Sequence, residues 1–263
     1  MTEDFLLAAD VGNARLKLGL FAKDDFHVLP QPRCTISLDC RRPRLSQVKI
    51  WLDELWGERL AWHLASVNPP AVGRLLNWLK KHRPQDSFSL LNHASLPLKI
   101  RLERPEQAGI DRLVNAMAAD RLRPPDRPAV VVDLGTAVTV DLLSAEGEFL
   151  GGAILPGLHT AAKALHQSTA LLPLVDVKKI TALPPVLGAA TIPAIESGLL
   201  WGAIGAIRFL AARLLEHAGS SLSESPVYLT GGGVGLVPVE NFGPHARFVE
   251  HLTLAGIALA ATS

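Results

Sequence analysis

Cysteine and long apolar runs are scarce in this sequence. Only two cysteines, Cys34 and Cys40, occur among 263 residues, and no metal-ligand pattern surrounds them. They suggest incidental thiols in a reducing compartment, and the sequence alone leaves a disulfide between them open. No run reaches the ~18 to 20 consecutive apolar residues of a membrane span. The first residues, Met1-Thr2-Glu3-Asp4, are acidic rather than basic, so we expect no signal peptide and a soluble, cytoplasmic protein.

An excess of charge of either sign is also missing. The formal net charge is +1, with 19% charged and 48% hydrophobic residues, which is typical of a globular protein without nucleic-acid or membrane partners. Arginines cluster at 41, 42 and 44, but no aromatic side chains alternate with them, so we interpret this run as a solvated loop. The pattern G-x-x-x-x-G-K-[ST] is absent, which argues against a P-loop ATP site.

The most informative stretch covers residues 130–157. A buried strand from Val130 to Val132 is predicted to end at Asp133, before a tight corner, Asp133-Leu134-Gly135-Thr136. Strands at 138–143 and 149–154 are predicted to follow. A carboxylate beside a Gly-Thr corner suits a phosphate site. Glycine lets a phosphate approach the backbone N–H groups, threonine offers a hydroxyl, and aspartate can hold a cation or a water.

A second copy of this pattern lies near the N-terminus. The apolar run from Phe5 again ends in Asp-x-Gly, at Asp10-Val11-Gly12, and another strand follows to Phe21. The repetition favours a duplicated domain in which each half supplies one phosphate-facing hairpin. We therefore predict two α/β domains, residues 1–120 and 121–263, with a connector at Arg121 to Pro128.

Weaker patterns supply the remaining elements. In the first half we predict a turn at Asp24-Asp25, a strand and then a polar loop over 26–44, helices at 45–56 and 71–81, and strands at 60–67, 88–91 and 98–102. In the second half we predict helices at 159–167, 191–217 and 252–261 and a strand at 226–230, followed by Gly231-Gly232-Gly233. The first series resembles a ribonuclease-H-like half. The triple glycine is either room for a nucleotide or a mobile turn.

Asp111 and Arg112 are expected in the first turn of a helix that begins at Ile110, just after Gly109. The helix dipole favours a carboxylate there and tends to keep it ionised. The residues leave two interpretations open: an ordinary charge at a helix start beside a surface arginine, or a general base that takes a proton from a substrate hydroxyl.

The long helix predicted from Thr191 to His217 contains three glycines, Gly198, Gly202 and Gly205. A glycine inside a helix costs about 1 kcal/mol relative to alanine, so close packing against another backbone is the expected reason. This helix could line a dimer interface or the gap between domains.

In their joint order, these motifs resemble type III pantothenate kinase. The motifs are DVGN-x-R-x-K from Asp10, G-x-DR from Gly109, DLGTA-x-T-x-D from Asp133 with GGAILPG, T-x-x-x-x-ESG from Thr191 and TGGG from Thr230. The resemblance implies an α/β protein with two ribonuclease-H-like domains of the acetate-kinase/sugar-kinase/Hsp70/actin superfamily, each a mixed five-stranded sheet with flanking helices. It also implies a homodimer that phosphorylates pantothenate with ATP and Mg²⁺, the first step of coenzyme A synthesis, and that needs K⁺ or NH₄⁺.

The same resemblance assigns roles to individual residues. The ATP-binding residues would be Asp10, Val11, Gly12, Asn13, Ala14, Arg15, Leu16, Lys17 and Thr136. Asp133 would bind the monovalent cation. The pantothenate-binding residues would be Gly109, Ile110, Asp111, Arg112 and Thr191, with Asp111 as the proton acceptor and Thr191 reaching the substrate from the neighbouring subunit.

Two positions depart from the family pattern. Ala14 stands where the family usually has threonine, and the missing hydroxyl is expected to weaken ATP binding by ~1.5 to 3 kcal/mol. The substrate-contacting aromatic that often precedes G-x-DR is absent; Leu102 lies nearby, and Tyr228 is the only tyrosine. Two alternatives therefore accompany the kinase: a non-catalytic relative that binds nucleotide or a pantothenate-like ligand and regulates a partner, and a related kinase acting on another small hydroxylated substrate or on acetate.

Overall fold

The computed structural model describes residues 5–22, 28–52, 55 and 58–262. The chain divides into two compact units, Met1–Leu122 with His251–Ser263, and Arg123–Glu250. The predicted turn at Asp24-Asp25, the acidic residues before Phe5 and parts of the helix predicted to reach Trp56 lie outside the described residues.

The first unit is built on a five-stranded mixed sheet. In chain order its elements are β1 (Phe5–Val11), β2 (Arg15–Ala22), β3 (Cys34–Asp39), α1 (Ser46–Trp51), β4 (Ala61–Ser66), α2 (Pro69–His82), β5 (Ser87–Leu90) and α3 (Ile110–Asp120). The strand order is β3-β2-β1-β4-β5. Strands β1, β2 and β3 pair antiparallel, whereas β4 joins β1, and β5 joins β4, in parallel.

The second unit repeats this arrangement. Its elements are β6 (Ala129–Leu134), β7 (Ala137–Leu143), β8 (Phe149–Pro156), α4 (Leu158–Gln167), α5 (Thr191–His217), β9 (Val227–Thr230) and β10 (Ala246–Phe248). The strand order is β10-β9-β6-β7-β8. As in the first unit, the three strands that come first in the chain, β6, β7 and β8, pair antiparallel, whereas β9 joins β6, and β10 joins β9, in parallel. The two sheets confirm the predicted fold class of two ribonuclease-H-like domains.

The strands of each Asp-x-Gly hairpin are part of a buried hydrophobic core. Central strands of this kind are apolar along their whole length because both faces of the sheet are covered. In the first unit Leu7, Leu18 and Leu64 are fully buried against side chains of α1 and α2. In the second, Val130 and Val132 are fully buried against α5. The two turns therefore extend from rigid strand ends.

The closing helix, α6 (Leu252–Ala260), differs from the sequence-based prediction, which placed it in the second domain because it follows that domain in the chain. The structure packs α6 against β1 and α3 of the first unit. A β-carbon on Gly256 would lie 2.1 Å from the carbonyl oxygen of Val114 on α3. The helix is almost entirely buried, and the absence of a side chain at Gly256 allows its backbone to lie close to α3.

One predicted strand and one predicted loop residue also differ from the structure. Residues 98–102 show the alternating burial of a strand, with Leu98, Ile100 and Leu102 half-buried. They do not join a sheet, however, and form only an isolated bridge at Ile100. Cys34, expected in a loop, begins strand β3 because the antiparallel register pairs it with Leu20. Both cysteines have free thiols.

Helix α5 has the predicted bounds, Thr191–His217. Among the described residues it is the one helix long and apolar enough to cross a membrane, with a mean hydropathy of 1.5. A prediction based on uninterrupted apolar runs misses it because charged residues interrupt the sequence. Its Ile204, Ile207 and Leu215 belong to the core of the second unit, as in a helix that packs on a sheet.

Candidate active site

The first turn joins β1 to β2 and carries Asp10. This residue is next to last in β1, opposite Lys17 on β2, and Lys17 Nζ lies 3.9 Å from Asp10 Oδ2. The Gly12 N–H donates to the Arg15 carbonyl at 3.0 Å and closes the turn. Three residues, Gly12 to Ala14, therefore connect the strands, with a carboxylate and an ammonium group at the base.

Neighbouring elements hold this turn from several sides. Asn68 Nδ2 donates to the Gly12 carbonyl at 3.2 Å. The Cys40 N–H donates to the Ala14 carbonyl at 2.9 Å. Arg15 is fixed by Ser37, whose Oγ and carbonyl oxygen each accept a guanidinium N–H at 2.9 Å. The backbone of the turn is thus set before any ligand arrives.

The Cys40 thiol lies near this turn, and its pKa depends on burial and on the charged side chains around it. Burial, followed by the negative charges of Asp10 and Asp39, raises the pKa of Cys40 to about 11, against the opposing effects of Arg74 and Arg15. Cys40 is therefore a protonated core thiol rather than a nucleophile.

The second feature of the first unit is the start of α3. Gly109 is the residue before the helix, and the Asp111 Oδ1 accepts from the Arg112 N–H at 2.8 Å. Burial raises the pKa of Asp111, more than the Arg112 N–H and its guanidinium lower it. The helix dipole was expected to keep this carboxylate ionised, whereas the pKa is raised because the side chain lies half-buried at the helix start.

One residue connects the turn to the helix start. The Val67 N–H donates to the Val11 carbonyl at 3.2 Å, extending the parallel pairing of β1 and β4. Its Cγ1 also lies 3.7 Å from where a β-carbon of Gly109 would stand. Val67 therefore contacts both predicted site segments of the first unit, one through its backbone N–H and the other through its side chain.

The second turn joins β6 to β7 and is tighter. The Gly135 N–H donates to the Ala137 carbonyl at 2.9 Å, leaving only Gly135 and Thr136 between the strands. The Thr136 carbonyl accepts two hydrogen bonds, from the Gly157 N–H at 3.0 Å and from Thr160 Oγ1 at 2.7 Å. Gly157 has no space for a side chain, because its β-carbon would lie 2.2 Å from the Gly135 carbonyl oxygen.

Asp133 lies beneath this turn and against the triple glycine. A β-carbon on Gly231 would stand 2.5 Å from Asp133 Oδ1 and 2.6 Å from the Leu134 carbonyl oxygen. Gly231 has a φ of +96°, so glycine is required there both for the backbone and for space. The space beside Gly231 is lined by a carboxylate and a carbonyl oxygen, the donors that hard cations prefer. The chemistry of these residues fits a monovalent cation.

Thr191 is exposed at the first turn of α5. It lines an open, largely apolar groove of about 470 Å³ whose other residues are Ala161, Leu165, Leu172, Ala194, Ile195, Gly198 and Leu199. The loop before it is attached to α5, since Ser197 Oγ donates to the Val186 carbonyl at 2.6 Å and Trp201 Nε1 donates to the Pro184 carbonyl at 2.9 Å. These two bonds hold the segment from Pro184 to Val186 against α5 within the second unit.

The sequence identified the residues at the turns but not their supports. It did not single out Val67, Asn68 or Thr160. A signal was available for Asn68, because asparagine before two prolines is typical of a helix N-cap, and its Oδ1 does accept the Ala71 N–H at 3.2 Å. No sequence pattern indicates that Thr160 contacts Thr136.

Two ribonuclease-H-like units, each with an aspartate near the end of its first strand and a glycine turn after it, are the architecture of the actin-like superfamily. A sequence model of the type III pantothenate kinase family matches residues 6–213. The chain belongs to this family, which confirms the predicted class of enzyme, a kinase of coenzyme A biosynthesis that acts on a small molecule.

Similar proteins agree with this assignment. The chain is 35% identical to type III pantothenate kinase 1 of Symbiobacterium thermophilum over 97% of this chain and 95% of the relative. It is 34% identical to the type III pantothenate kinase of Rhodospirillum centenum, with 97% of each chain covered. Among solved structures, a conserved putative Baf family transcriptional activator from Campylobacter jejuni superposes with a TM-score of 0.58 at 21% identity, covering 97% of both chains, which supports the fold.

Proposed function

We propose that this chain transfers the γ-phosphoryl group of ATP to the primary hydroxyl of pantothenate, giving 4′-phosphopantothenate and ADP. The observation that carries this proposal is the environment of Asp111, a half-buried carboxylate with a raised pKa at the start of α3. A general base needs a pKa brought towards the working pH. Asp111 takes the hydroxyl proton as the oxygen attacks phosphorus and the bond to the ADP oxygen breaks.

The phosphate-binding roles go to the two turns. Asn13 and Ala14 offer backbone N–H groups in a turn that neighbouring residues fix, and the Lys17 ammonium stands 3.9 Å from Asp10. Thr136 is exposed at the second turn and adds a hydroxyl. Phosphoryl transfer depends mainly on positioning and on stabilising charge, which suits groups set on rigid strand ends.

Cations complete the proposed chemistry. Mg²⁺ bound to ATP would neutralise phosphate charge. Asp133 and the Leu134 carbonyl, next to Gly231, are the residues assigned to K⁺ or NH₄⁺. Gly109, Ile110 and Arg112 are assigned to pantothenate together with Asp111, since they surround the same helix start.

We further propose that the enzyme works as a cytoplasmic homodimer through the outer face of α5. Its three glycines, at 198, 202 and 205, are exposed, and apart from chain neighbours and the backbone of the helix itself no described atom lies within 4 Å of a β-carbon built on any of them. Phe209, 65% exposed, and Ile192, 50% exposed, add apolar surface on the same helix. Glycines spaced in this way let a second helix approach closely, and a second copy of this chain would bring Thr191 to its partner's pantothenate.

The test is ADP release by the purified protein with Mg·ATP and pantothenate, in K⁺ or in Na⁺, alongside Asp111→Asn. We expect release that requires pantothenate and K⁺ and that the variant loses. Absence of release from the folded protein at high ATP would contradict the proposal. ATP binding without turnover would then indicate the regulatory relative, for which the missing hydroxyl at Ala14 is the favouring feature, whereas turnover with sugars or acetate would indicate another substrate.

A further inference from the structure

Both Asp-x-Gly turns are held in the same way. In the first unit Asn68, the residue before α2, donates from Nδ2 to the Gly12 carbonyl at 3.2 Å. In the second unit Thr160, in the first turn of α4, donates from Oγ1 to the Thr136 carbonyl at 2.7 Å. In each unit a side chain at the start of a helix thus fixes one carbonyl oxygen of the turn.

When a hydrogen bond fixes the carbonyl of one residue, it also fixes the direction of the N–H group of the next residue, because both belong to the same planar peptide. In a trans peptide the C=O and the N–H point in opposite directions, and the described residues contain no cis peptide. The bond from Asn68 therefore directs the Asn13 N–H away from α2, and the bond from Thr160 directs the Ala137 N–H away from α4. Loss of the bond from Asn68 removes the side-chain anchor of the Gly12–Asn13 peptide. Loss of the bond from Thr160 leaves the Thr136 carbonyl with one hydrogen bond, from the Gly157 N–H at 3.0 Å, in place of two, so the direction of the Ala137 N–H is less tightly defined.

We propose that Asn68 and Thr160 are positioning residues for ATP, each orienting the peptide plane of one phosphate turn. The inference rests on the proposed function, in which these turns bind the phosphates of ATP. Neither side chain has to touch the nucleotide: Asn68 acts through the Gly12–Asn13 peptide and Thr160 through the Thr136–Ala137 peptide. A rigid, pre-oriented donor binds an anion more tightly than one that must first be ordered.

Each residue needs a variant that separates positioning from ordinary stability. Asn68 also caps α2, because its Oδ1 accepts the Ala71 N–H at 3.2 Å. Asn68→Ser keeps a capping oxygen and removes the amide donor. For Thr160, Thr160→Val removes the hydroxyl and keeps the shape, while Thr160→Ser restores it.

Thr169 provides a matched control for Thr160. It follows the same helix, is also exposed, and its Oγ1 donates to the Leu165 carbonyl at 2.9 Å, away from the turn. Thr169→Val therefore loses the same kind of side-chain-to-backbone bond without affecting Thr136.

The measurements are the KM for Mg·ATP, the KM for pantothenate and kcat, together with calorimetric binding of a non-hydrolysable ATP analogue and the melting temperature. We expect Asn68→Ser and Thr160→Val each to raise the KM and the Kd for nucleotide roughly three- to tenfold, the range of one net hydrogen bond. The KM for pantothenate should change less than twofold, Thr160→Ser should restore nucleotide affinity, and Thr169→Val should match the wild type.

Equal nucleotide affinity in Thr160→Val and the wild type would overturn the inference for the second turn, as would an equal loss in Thr169→Val. Normal affinity in Asn68→Ser would overturn it for the first turn. The proposed function fails separately, by absence of pantothenate-dependent ADP release from the wild type, and the calorimetric comparison still decides the positioning roles in that case.

Discussion

A β-carbon placed on Gly109 would lie 2.5 Å from Oδ1 of Asp111, so the carboxylate occupies the space that a side chain at position 109 would fill. Real β-carbons do not approach an oxygen so closely, and one of the two groups would have to move. The backbone does not require glycine at this position, because any residue can adopt its φ of −58°. Glycine is required because a side chain would occupy the space of the Asp111 carboxylate, the proposed base.

The first prediction concerns this glycine. Gly109→Ala should displace the Asp111 carboxylate and lower kcat by about 10²-fold, because misplacing a reacting group by about 1 Å has an effect of that size. Steady-state kinetics measures it. Gly73→Ala is the control, since Gly73 lies inside α2 with no described atom within 4 Å of its β-carbon position. Equal kinetics in both variants would contradict the assignment.

The second prediction concerns stability and pH. Because burial raises the pKa of Asp111 above its ordinary value of 3.8, the folded state binds this proton more tightly than the unfolded state. The ionised carboxylate therefore lowers the free energy of unfolding at pH values above the folded pKa, and this effect disappears below 3.8. Asp111→Asn should melt higher than the wild type at pH 7 while losing activity.

Thermal melts from pH 3.5 to pH 8 check this sign, and the two melting curves should converge as the pH falls. The wild-type kcat/KM should decline on acidification through the raised pKa of Asp111. An Asn variant less stable than the wild type at neutral pH would refute the desolvation argument.

The third prediction concerns the cation. Gly231→Ala should force a β-carbon against Asp133 Oδ1 and strain a backbone with φ of +96°, lowering stability by about 1–3 kcal/mol and weakening activation by K⁺. Gly232→Ala, at a neighbouring position without a described atom within 4 Å, should leave K⁺ activation unchanged. Activity titrated with KCl at constant ionic strength distinguishes them.

The fourth prediction tests the departure at position 14. Ala14→Thr should lower the KM for Mg·ATP at least about tenfold, since a hydrogen bond to a charged phosphate contributes ~1.5 to 3 kcal/mol. Ala14→Val has the same shape without the hydroxyl and should bring no gain. If threonine and valine behave alike, the hydroxyl is not the missing group.

The fifth prediction concerns the outer face of α5. Gly202→Leu should shift the protein towards monomer in light scattering coupled to size-exclusion chromatography, because the side chain separates two closely packed helices. Gly73→Leu introduces the same side chain into an open helical position of the first unit and should leave the mass unchanged. A wild type that is monomeric at assay concentration would contradict the dimer.

The sequence predicted what depends on local chemistry. An apolar run ending in Asp-x-Gly determines a strand and its turn, so both hairpins and the fold class were predicted and are confirmed. The bounds of α5 were predicted because apolar residues recur throughout Thr191–His217 without a proline beyond its first turn.

What the sequence could not show depends on contacts made after folding. Residues 98–102 alternate like a strand, yet the number of strands in a sheet is set by tertiary pairing. The raised pKa of Asp111 reflects burial, which local charge near a helix start does not reveal. The contact from Thr160 to Thr136 joins residues 24 positions apart, and no spacing rule relates them.

The position of α6 bears on how the protein folds as it is synthesised. The ribosome completes residues 123–250 before it releases the helix at Leu252–Ala260, yet α6 packs in the first unit against α3. The second unit can therefore fold while the first unit, although translated earlier, still lacks the helix α6 that covers part of its core. The helix that carries Asp111 gains this packing partner only after residues 123–250 have been synthesised, so a ribosome-bound intermediate that ends before α6 holds an unfinished first unit.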